Sequence, residues 1–242
     1  MNFRKISIAF LLFTVFGCTA SDRSPVTSSA YPDVHIIGAM KNVMRKGDLS
    51  DRINPDTLSD KSHLYGLGPL THLTGELLIN EGKCYVSKVT PDSVGMSVTR
   101  DCAVSAPFFV YARVKEWEAV PLPAEVKSIA DLEEFIETST KDRKRPFAFK
   151  LYGIVNSAVI HIQNLPPGTR VSSPAEAHQG QVNYNLPKTA ANIIGFFSTE
   201  HQGIFTHHDS YLHLHLITRD EQSMGHLDKA EFGDMILYLP KG

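Results

Sequence analysis

The sequence predicts an α+β protein with two closely packed, mainly β halves and a few helices. Short runs rich in β-branched and aromatic residues recur along the chain and dominate it beyond Pro146, which is typical of strands. Helical spacing of apolar residues is confined to the part before Pro146. We therefore expect one domain over residues 32–242, with a mixed sheet in its first half (about 32–145) and an antiparallel sheet in its second (about 146–242).

The composition fits an ordinary globular protein apart from its histidines. The 242 residues are enough for a sizeable core, and 42% of them are hydrophobic and 21% charged. The formal net charge of −2 offers no basic surface to a polyanion, so we do not expect a nucleic acid as a partner. Of the 11 histidines, six fall between His201 and His226. This clustering points to a metal site near the end of the sequence.

The first 31 residues predict an export signal and a tether. A basic pair precedes an apolar run, 6–16, that is too short to span a membrane as a mature helix. The run leads to Cys18, which has the position of the lipidated cysteine in a bacterial lipoprotein signal. We expect a signal peptide over 1–18, a Ser/Thr-rich flexible tether over 19–31, and an exported protein anchored to the membrane of the cell envelope through Cys18. A plain secretory signal is the alternative.

Two helices are expected in the first half. Asp33 can cap a helix whose apolar residues recur at helical spacing as far as Gly47, a residue type that commonly ends helices. A second helix is expected from Ser128 to about Thr138. There Ser128 and Asp131 have the spacing of a capping pair, and one face is apolar.

A β-hairpin is expected over residues 77–86, because Asn80, Glu81 and Gly82 suit a tight turn between two apolar runs. The other expected strands are short. They cover 94–99, 108–114, 147–152, 157–163, 182–186, 192–198, 211–218 and 235–239.

Two cysteines follow the signal. In an exported protein Cys84 and Cys102 could form a disulfide. Two separate buried thiols are the alternative, since a sequence does not give the Cα separation that the bond requires.

The strongest chemical signal is the strand 211–218, which carries His213 and His215. Successive side chains of a strand point to opposite faces, so these two imidazoles share one face and the neighbouring leucines share the other. His226 follows a glycine and can return on the next strand as a third ligand. Three neutral imidazoles that leave a coordination position open are typical of a catalytic Zn²⁺ site. For the His-x-His pattern alone, ordinary polarity on a strand surface is the alternative.

Several stretches, in one order, resemble a known family. They are Gly66-Leu-Gly-Pro-Leu-Thr-His-Leu-Thr-Gly-Glu-Leu77, Asn192-Ile-Ile-Gly-Phe-Phe197 and the three histidines with their gap of eleven residues, with Gly47-Asp-Leu before them. On these residues the chain resembles the α-acetolactate decarboxylases from about Val34 to Asp228.

The resemblance implies a function and a set of site residues. It places Glu76 on the family's active-site glutamate, and His213, His215 and His226 on its three zinc-binding histidines. It implies a Zn²⁺-dependent decarboxylation of 2-acetolactate to acetoin, so the expected partner is a small hydroxy-keto acid, with a homodimer as one possible assembly. A proton must be managed beside the carbon that loses CO₂, and Glu76 is the candidate for that role.

Two departures from the family pattern affect the surroundings of the metal. The family carries an active-site Arg on the strand after a Phe-Arg-x-x-Gly run, which here is Phe149-Lys-Leu-Tyr-Gly153. Counting onward places His161 at the Arg position, as a second catalytic candidate. A histidine can donate a hydrogen bond but lacks the permanent bidentate fork of an arginine. The family's C-terminal glutamate has no evident match.

Two alternatives to the decarboxylase remain at this point. One keeps the metal and changes the reaction to that of a lyase or hydrolase on another hydroxy-keto acid. The other is a metal- or ligand-binding lipoprotein without catalysis. His207 and His208, just before the metal strand, could support the site or lie on an exposed loop, and we favour the loop.

Overall fold

The computed structural model describes residues 33–92 and 94–241. The expected signal peptide, the Cys18 anchor and the tether lie outside the described residues. None of the helices in the described part has the length and apolarity needed to cross a membrane.

Strands dominate the described part, as the sequence predicts. The helices are α1 (Met40–Lys46), α2 (Ile129–Ser139) and α3 (Pro174–Ala177), with short 3-10 turns at Pro55–Thr57 and Thr71–Leu73. The strands are β1 (Val34–Ile37), β2 (Leu64–Pro69), β3 (Glu76–Asn80), β4 (Lys83–Val89), β5 (Met96–Arg100), β6 (Phe109–Arg113), β7 (Trp117–Pro121), β8 (Phe147–Ile162), β9 (Val182–Leu186), β10 (Thr189–Phe197), β11 (Leu212–Thr218) and β12 (Met224–Pro240).

The first sheet has the strand order β1-β6-β2-β3-β4-β5. Every one of its pairings is antiparallel, so the expectation of a mixed sheet in the first half is wrong. The physical reason is connection length. A parallel pair needs a crossover of a dozen or more residues, whereas connections of only two to six residues join the consecutive strands β2 to β5.

The second sheet has the order β7-β12-β11-β10-β8-β9 and closes on itself. Closure follows from two long strands, β8 with 16 residues and β12 with 17. β12 pairs with β11 near its start and with β8 along most of its length, while β8 also pairs with β10. All of these pairings are antiparallel, as expected for the second half.

The boundary between the two halves lies earlier than residue 145. β7 pairs with the end of β12, so Trp117–Pro121 belongs to the second sheet. α2 likewise packs against the core of the second sheet through Leu132 and Ile136. The first sheet therefore ends with β6, and the change of sheet falls between residues 113 and 117.

Local signals give the right element in several places, but they miss β2 and β7 and misassign the first strand. Val34–Ile37 is a strand rather than the start of a helix, because its β-branched residues pair with β6 in the register Val34↔Ala112. The helix begins only at Met40 and ends, as expected, at Gly47, whose φ of 64° is left-handed. Residues 147–162 form one continuous strand rather than two.

The hairpin and the second helix have the expected chemistry. Glu81 and Gly82 both have positive φ values, 53° and 78°, as a two-residue turn of type I′ requires. Ser128 and Asp131 form a reciprocal capping box at the start of α2.

Cys84 and Cys102 form a disulfide, with their Cα atoms 5.2 Å apart. The bond joins β4 to the segment that follows β5. It therefore ties down the edge of the first sheet beyond the hairpin.

The two sheets pack face to face around a shared core, and the closed sheet has a second core inside. Leu78 of the first sheet and Phe196 of the second belong to the shared core. Leu214 and Leu237 point into the closed sheet, where α2 covers them. The outward-pointing side chains Ile194 and Phe196 of β10 and Ile217 of β11 face the first sheet.

Candidate metal centre

His213 and His215 lie on the face of β11 that looks toward the first sheet. Leu212 and Leu214 alternate with them and point into the core of the closed sheet. His226 of β12 is the direct partner of His215 across the β11–β12 pairing. The structure thus brings the three sequence-predicted ligands together on neighbouring strands.

The three imidazoles are close enough to share one ion. One ring nitrogen from each residue lies within 4.8 Å of the other two. The ring centroids are 5.3 Å apart for His213 and His215, 5.0 Å for His213 and His226, and 5.4 Å for His215 and His226. All three side chains are buried.

The donor atoms fit a metal ion better than they fit a network of protein hydrogen bonds. Nδ1 of His213 and both ring nitrogens of His215 have no hydrogen-bond partner among the described residues. A buried polar atom without a partner costs about 1–3 kcal/mol. An ion would satisfy such atoms.

The protonation of these histidines also suits a metal. Burial lowers the pKa of His213 and His226 well below the usual value and that of His215 to about 3. At neutral pH the rings are therefore uncharged, which is the form of imidazole that coordinates a metal.

Glu76 reaches the cluster from the other sheet. It is the first residue of β3, its side chain is buried, and its Oε2 lies 3.6 Å from Nε2 of His215. Its Oε1 accepts a hydrogen bond from the backbone N–H of Gln163 at 3.1 Å. Burial raises the pKa of Glu76 well above the usual value, and the negative charge of Asp228 adds to the effect.

His161 of β8 lies beside the cluster, on the far side of His226. The two residues are partners in the β8–β12 pairing, and their rings stack with centroids 4.6 Å apart. Nδ1 of His161 is 2.8 and 2.9 Å from the two carboxylate oxygens of Asp228. Gln163 Nε2 is 3.4 Å from the other ring nitrogen, Nε2.

Sequence reasoning missed Asp228 as a partner of the site. A signal was present, because residues two apart on a strand share a face, and Asp228 follows His226 at that spacing. Asp228, His161 and His226 form a second group whose ligand atoms lie within 4.8 Å of one another.

A cleft opens onto the cluster between the two sheets. Its free volume of about 30 Å³ is small, so the cleft is a narrow opening over the cluster rather than a roomy ligand pocket. Besides Glu76, His161 and the metal histidines His213 and His226, its wall contains residues that sequence reasoning did not assign to the site. They are Met40, Met44, Pro69, Phe108, Gln163, His178 and His207.

The expectation of an exposed loop holds for His208 but is wrong for His207. The side chain of His208 is 83% exposed. His207, one position earlier, is partly buried and lines the cleft, with its Nε2 3.2 Å from Nε2 of His226. A loop residue reaches the site here because the loop folds back over the strand that it precedes.

Comparisons with known proteins agree with this arrangement. The family model described as alpha-acetolactate decarboxylase matches residues 37–239. The alpha-acetolactate decarboxylase of Brevibacillus brevis is 24% identical over 244 residues, which cover 96% of this chain and 82% of that protein.

Two solved structures share the fold. The acetolactate decarboxylase of Bacillus subtilis subspecies spizizenii has a TM-score of 0.72 at 18% identity, with 86% of each chain covered. A Staphylococcus aureus protein of unknown function, described as similar to alpha-acetolactate decarboxylase, has a TM-score of 0.70 at 19% identity, with 85% of this chain and 84% of that chain covered. At these identities the likeness concerns the fold alone.

Proposed function

We propose that this chain, which belongs to the alpha-acetolactate decarboxylase family, is a carbon–carbon lyase that converts 2-acetolactate to acetoin with a bound Zn²⁺ ion. The observation that carries the proposal is the distance of 3.6 Å between Oε2 of Glu76 and Nε2 of His215. Two more buried histidines lie beside this pair, and Glu76 lines a small cleft. A carboxyl group for proton transfer and a ligand set for a cation are thus within reach of one bound substrate.

His213, His215 and His226 would hold the ion. Three neutral imidazole nitrogens suit Zn²⁺ and leave room for substrate oxygens. When bound, the ion would supply a Lewis acid for the negative charge that develops on the substrate as CO₂ leaves.

Glu76 is suited to manage the proton. When the bond to the carboxylate breaks, its electron pair stays on the neighbouring carbon, which must finally receive a proton. Burial raises the pKa of the Glu76 carboxyl, which favours its protonated form. The backbone N–H of Gln163 donates a hydrogen bond to one of its oxygens and holds it in place. The other oxygen remains turned toward His215 and the cleft.

His161 and Asp228 are suited to orient the substrate. The Asp228 carboxylate accepts a hydrogen bond from Nδ1 of His161, a residue that lines the cleft. If the ring carries only that proton, Nε2 is an acceptor and can bond a substrate hydroxyl, whereas an arginine would donate two parallel hydrogen bonds to a carboxylate. This difference favours a second candidate function, a metal-dependent lyase or hydrolase acting on another hydroxy-keto acid.

The export of the protein and its anchoring through Cys18 complete the proposal. The disulfide between Cys84 and Cys102 supports an oxidising compartment, since such bonds are rare in the reducing cytosol. The lipid anchor rests on the sequence alone and is tested by membrane fractionation. Recovery of wild-type protein only from the soluble periplasmic fraction would favour ordinary secretion.

The decisive experiment measures acetoin formation from racemic 2-acetolactate by the Zn²⁺-loaded protein between pH 5 and 8. The expected rate exceeds the spontaneous rate. Glu76→Gln should retain the metal and lose about 10²–10⁴-fold in turnover, as expected for a missing acid–base group. His215→Ala should lose metal and activity together, and His201→Ala, outside the cleft, serves as the control.

Failure of this experiment has a clear meaning. A protein that binds Zn²⁺ but forms no acetoin above the spontaneous rate is not an acetolactate decarboxylase. Activity on another hydroxy-keto acid would then favour the second candidate, and tight metal binding without turnover of any such acid would favour a binding protein.

A further inference from the structure

His207 reaches the metal cluster from the loop before β11, whereas the other histidines of the cluster stand on strands. It lies on the segment between Phe205 and β11, over the point where β11 and β12 separate beyond the pair His215↔His226. Its Nε2 is 3.2 Å from Nε2 of His226, and the two ring planes are inclined by 58°. His207 also lines the cleft together with His213.

The distance between the two Nε2 atoms matches that between two ligands of one Zn²⁺ ion, but His207 lies outside the group formed by His213, His215 and His226 and must move closer to the first two to join it. With Zn–N bonds of about 2.0–2.1 Å in a tetrahedron, neighbouring ligand nitrogens are about 3.3–3.4 Å apart. Two lone pairs on neutral imidazole nitrogens repel each other, so nitrogens this close need a proton or a cation between them. The proton would form a hydrogen bond, and the cation would bind both lone pairs.

A second cavity gives His207 room to move. It has a free volume of about 210 Å³, is lined by both His207 and His226, and adjoins the cleft at these two rings. Leu212 and Leu227 form part of its apolar wall, and Asp209 and Ser210 lie on the same segment as His207. A movement of the His207 ring into this space would separate its Nε2 from that of His226.

We propose that His207 is a fourth histidine of the metal centre, which coordinates the ion in the resting protein and withdraws toward the second cavity when a substrate chelates the ion. The inference rests on the metal site of the proposed function but not on the decarboxylation. A closed set of four nitrogens would hold the ion tightly between turnovers, whereas a set of three leaves it open to substrate oxygens.

The test counts the histidines on the metal. In the full-length protein loaded with Co²⁺ in place of Zn²⁺, each coordinated imidazole gives one strongly shifted, exchangeable N–H proton signal in the NMR spectrum. Wild type should show four such signals and His207→Ala three. His208→Ala is the matched control, because the neighbouring ring is exposed, and it should keep four.

A second measurement follows the withdrawal of His207. Lactate, a 2-hydroxy acid that chelates through adjacent oxygens, should remove one signal from the wild type and leave three. In His207→Ala, free imidazole should restore the wild-type visible spectrum of the bound Co²⁺. The affinity of the variant for Co²⁺ should fall by at least about tenfold.

Three signals in the wild type would overturn the inference and reduce His207 to a hydrogen-bond partner of His226. Four signals that persist in His207→Ala would do the same. If His207→Ala does not fold, the count in the wild type and in His207→Gln still decides the question. Failure of acetoin formation leaves the count unaffected, so the two proposals fail separately.

Discussion

Oε2 of Glu76 lies 3.6 Å from Nε2 of His215, although the two residues belong to different sheets. Their contact exists only when the face of β3 is packed correctly against the face of β11. The chemistry of the site is thus coupled to the packing between the sheets, and the titration of these two groups should be visible in the stability of the metal-free protein.

The first prediction concerns Glu76. Its pKa is raised by burial, so the folded protein retains a proton that the unfolded chain loses above about pH 4.3. Folding stability of the metal-free protein should therefore fall as the pH rises through this range. Glu76→Gln has no proton to lose, so we expect its stability to fall less steeply than that of the wild type as the pH rises above about 4.3.

Urea unfolding of the metal-free proteins at a series of pH values above about 4.3 measures the effect. Glu134→Gln is the control, because Glu134 is exposed on α2. An identical pH dependence in wild type and Glu76→Gln would show that the carboxyl is ionised in the folded state.

The second prediction concerns His215, whose pKa is lowered by burial to about 3. Below about pH 6.5 the unfolded chain binds a proton here that the folded protein does not. Stability of the metal-free protein should therefore fall with decreasing pH between about 6.5 and 3, by about 1.4 kcal/mol per pH unit for this group.

Removal of the imidazole should weaken that acid sensitivity. We expect His215→Asn to lose about 2–3 kcal/mol less than the wild type between pH 6.5 and 4.5, as measured by denaturant unfolding. His35→Asn controls for a histidine at the outer edge of the first sheet. Equal losses in His215→Asn and wild type would contradict a neutral buried His215.

The third prediction concerns the disulfide. Cys84 and Cys102 close a loop with a sequence separation of 18, and a native bond of this size contributes about 2–4 kcal/mol to folding. Reduction of a Cys18→Ser protein should lower its free energy of unfolding by this amount. The variant that also carries Cys84→Ser and Cys102→Ser should not respond to the reductant, and a response there would place the effect elsewhere.

Elements that depend on local chemistry were predictable from the sequence. The hairpin turn at Gly82, the capping box of α2 and the helix end at Gly47 all follow from residues that lie next to one another. The alternation of β11 likewise put His213 and His215 on one face without knowledge of any neighbour. Val34–Ile37 was the exception, since four apolar-rich residues fit a helix face as well as a strand that gains β6 as a partner.

Features that depend on register between distant strands were not predictable. β7 pairs with β12, so Trp117–Pro121 belongs to the second sheet. Nothing in the residues around this segment indicates that pairing. Counting residues from the Phe149–Gly153 run made His161 a candidate. Its hydrogen bond to Asp228 depends on the irregular register between β8 and β12, which counting does not give. His207 reaches His226 through the path of a loop, which residue spacing does not determine.

The point where β12 changes neighbours has a mechanical consequence. β12 shares only three residue pairs with β11, from Met224 to His226, before it continues along β8. An ion held by His215 and His226 would therefore link β11 to β12 at the short pairing that closes the second sheet, referred to here as the seam. Without it, hydrogen exchange should be fastest at this seam, and the closed sheet should open there before the rest of the molecule unfolds.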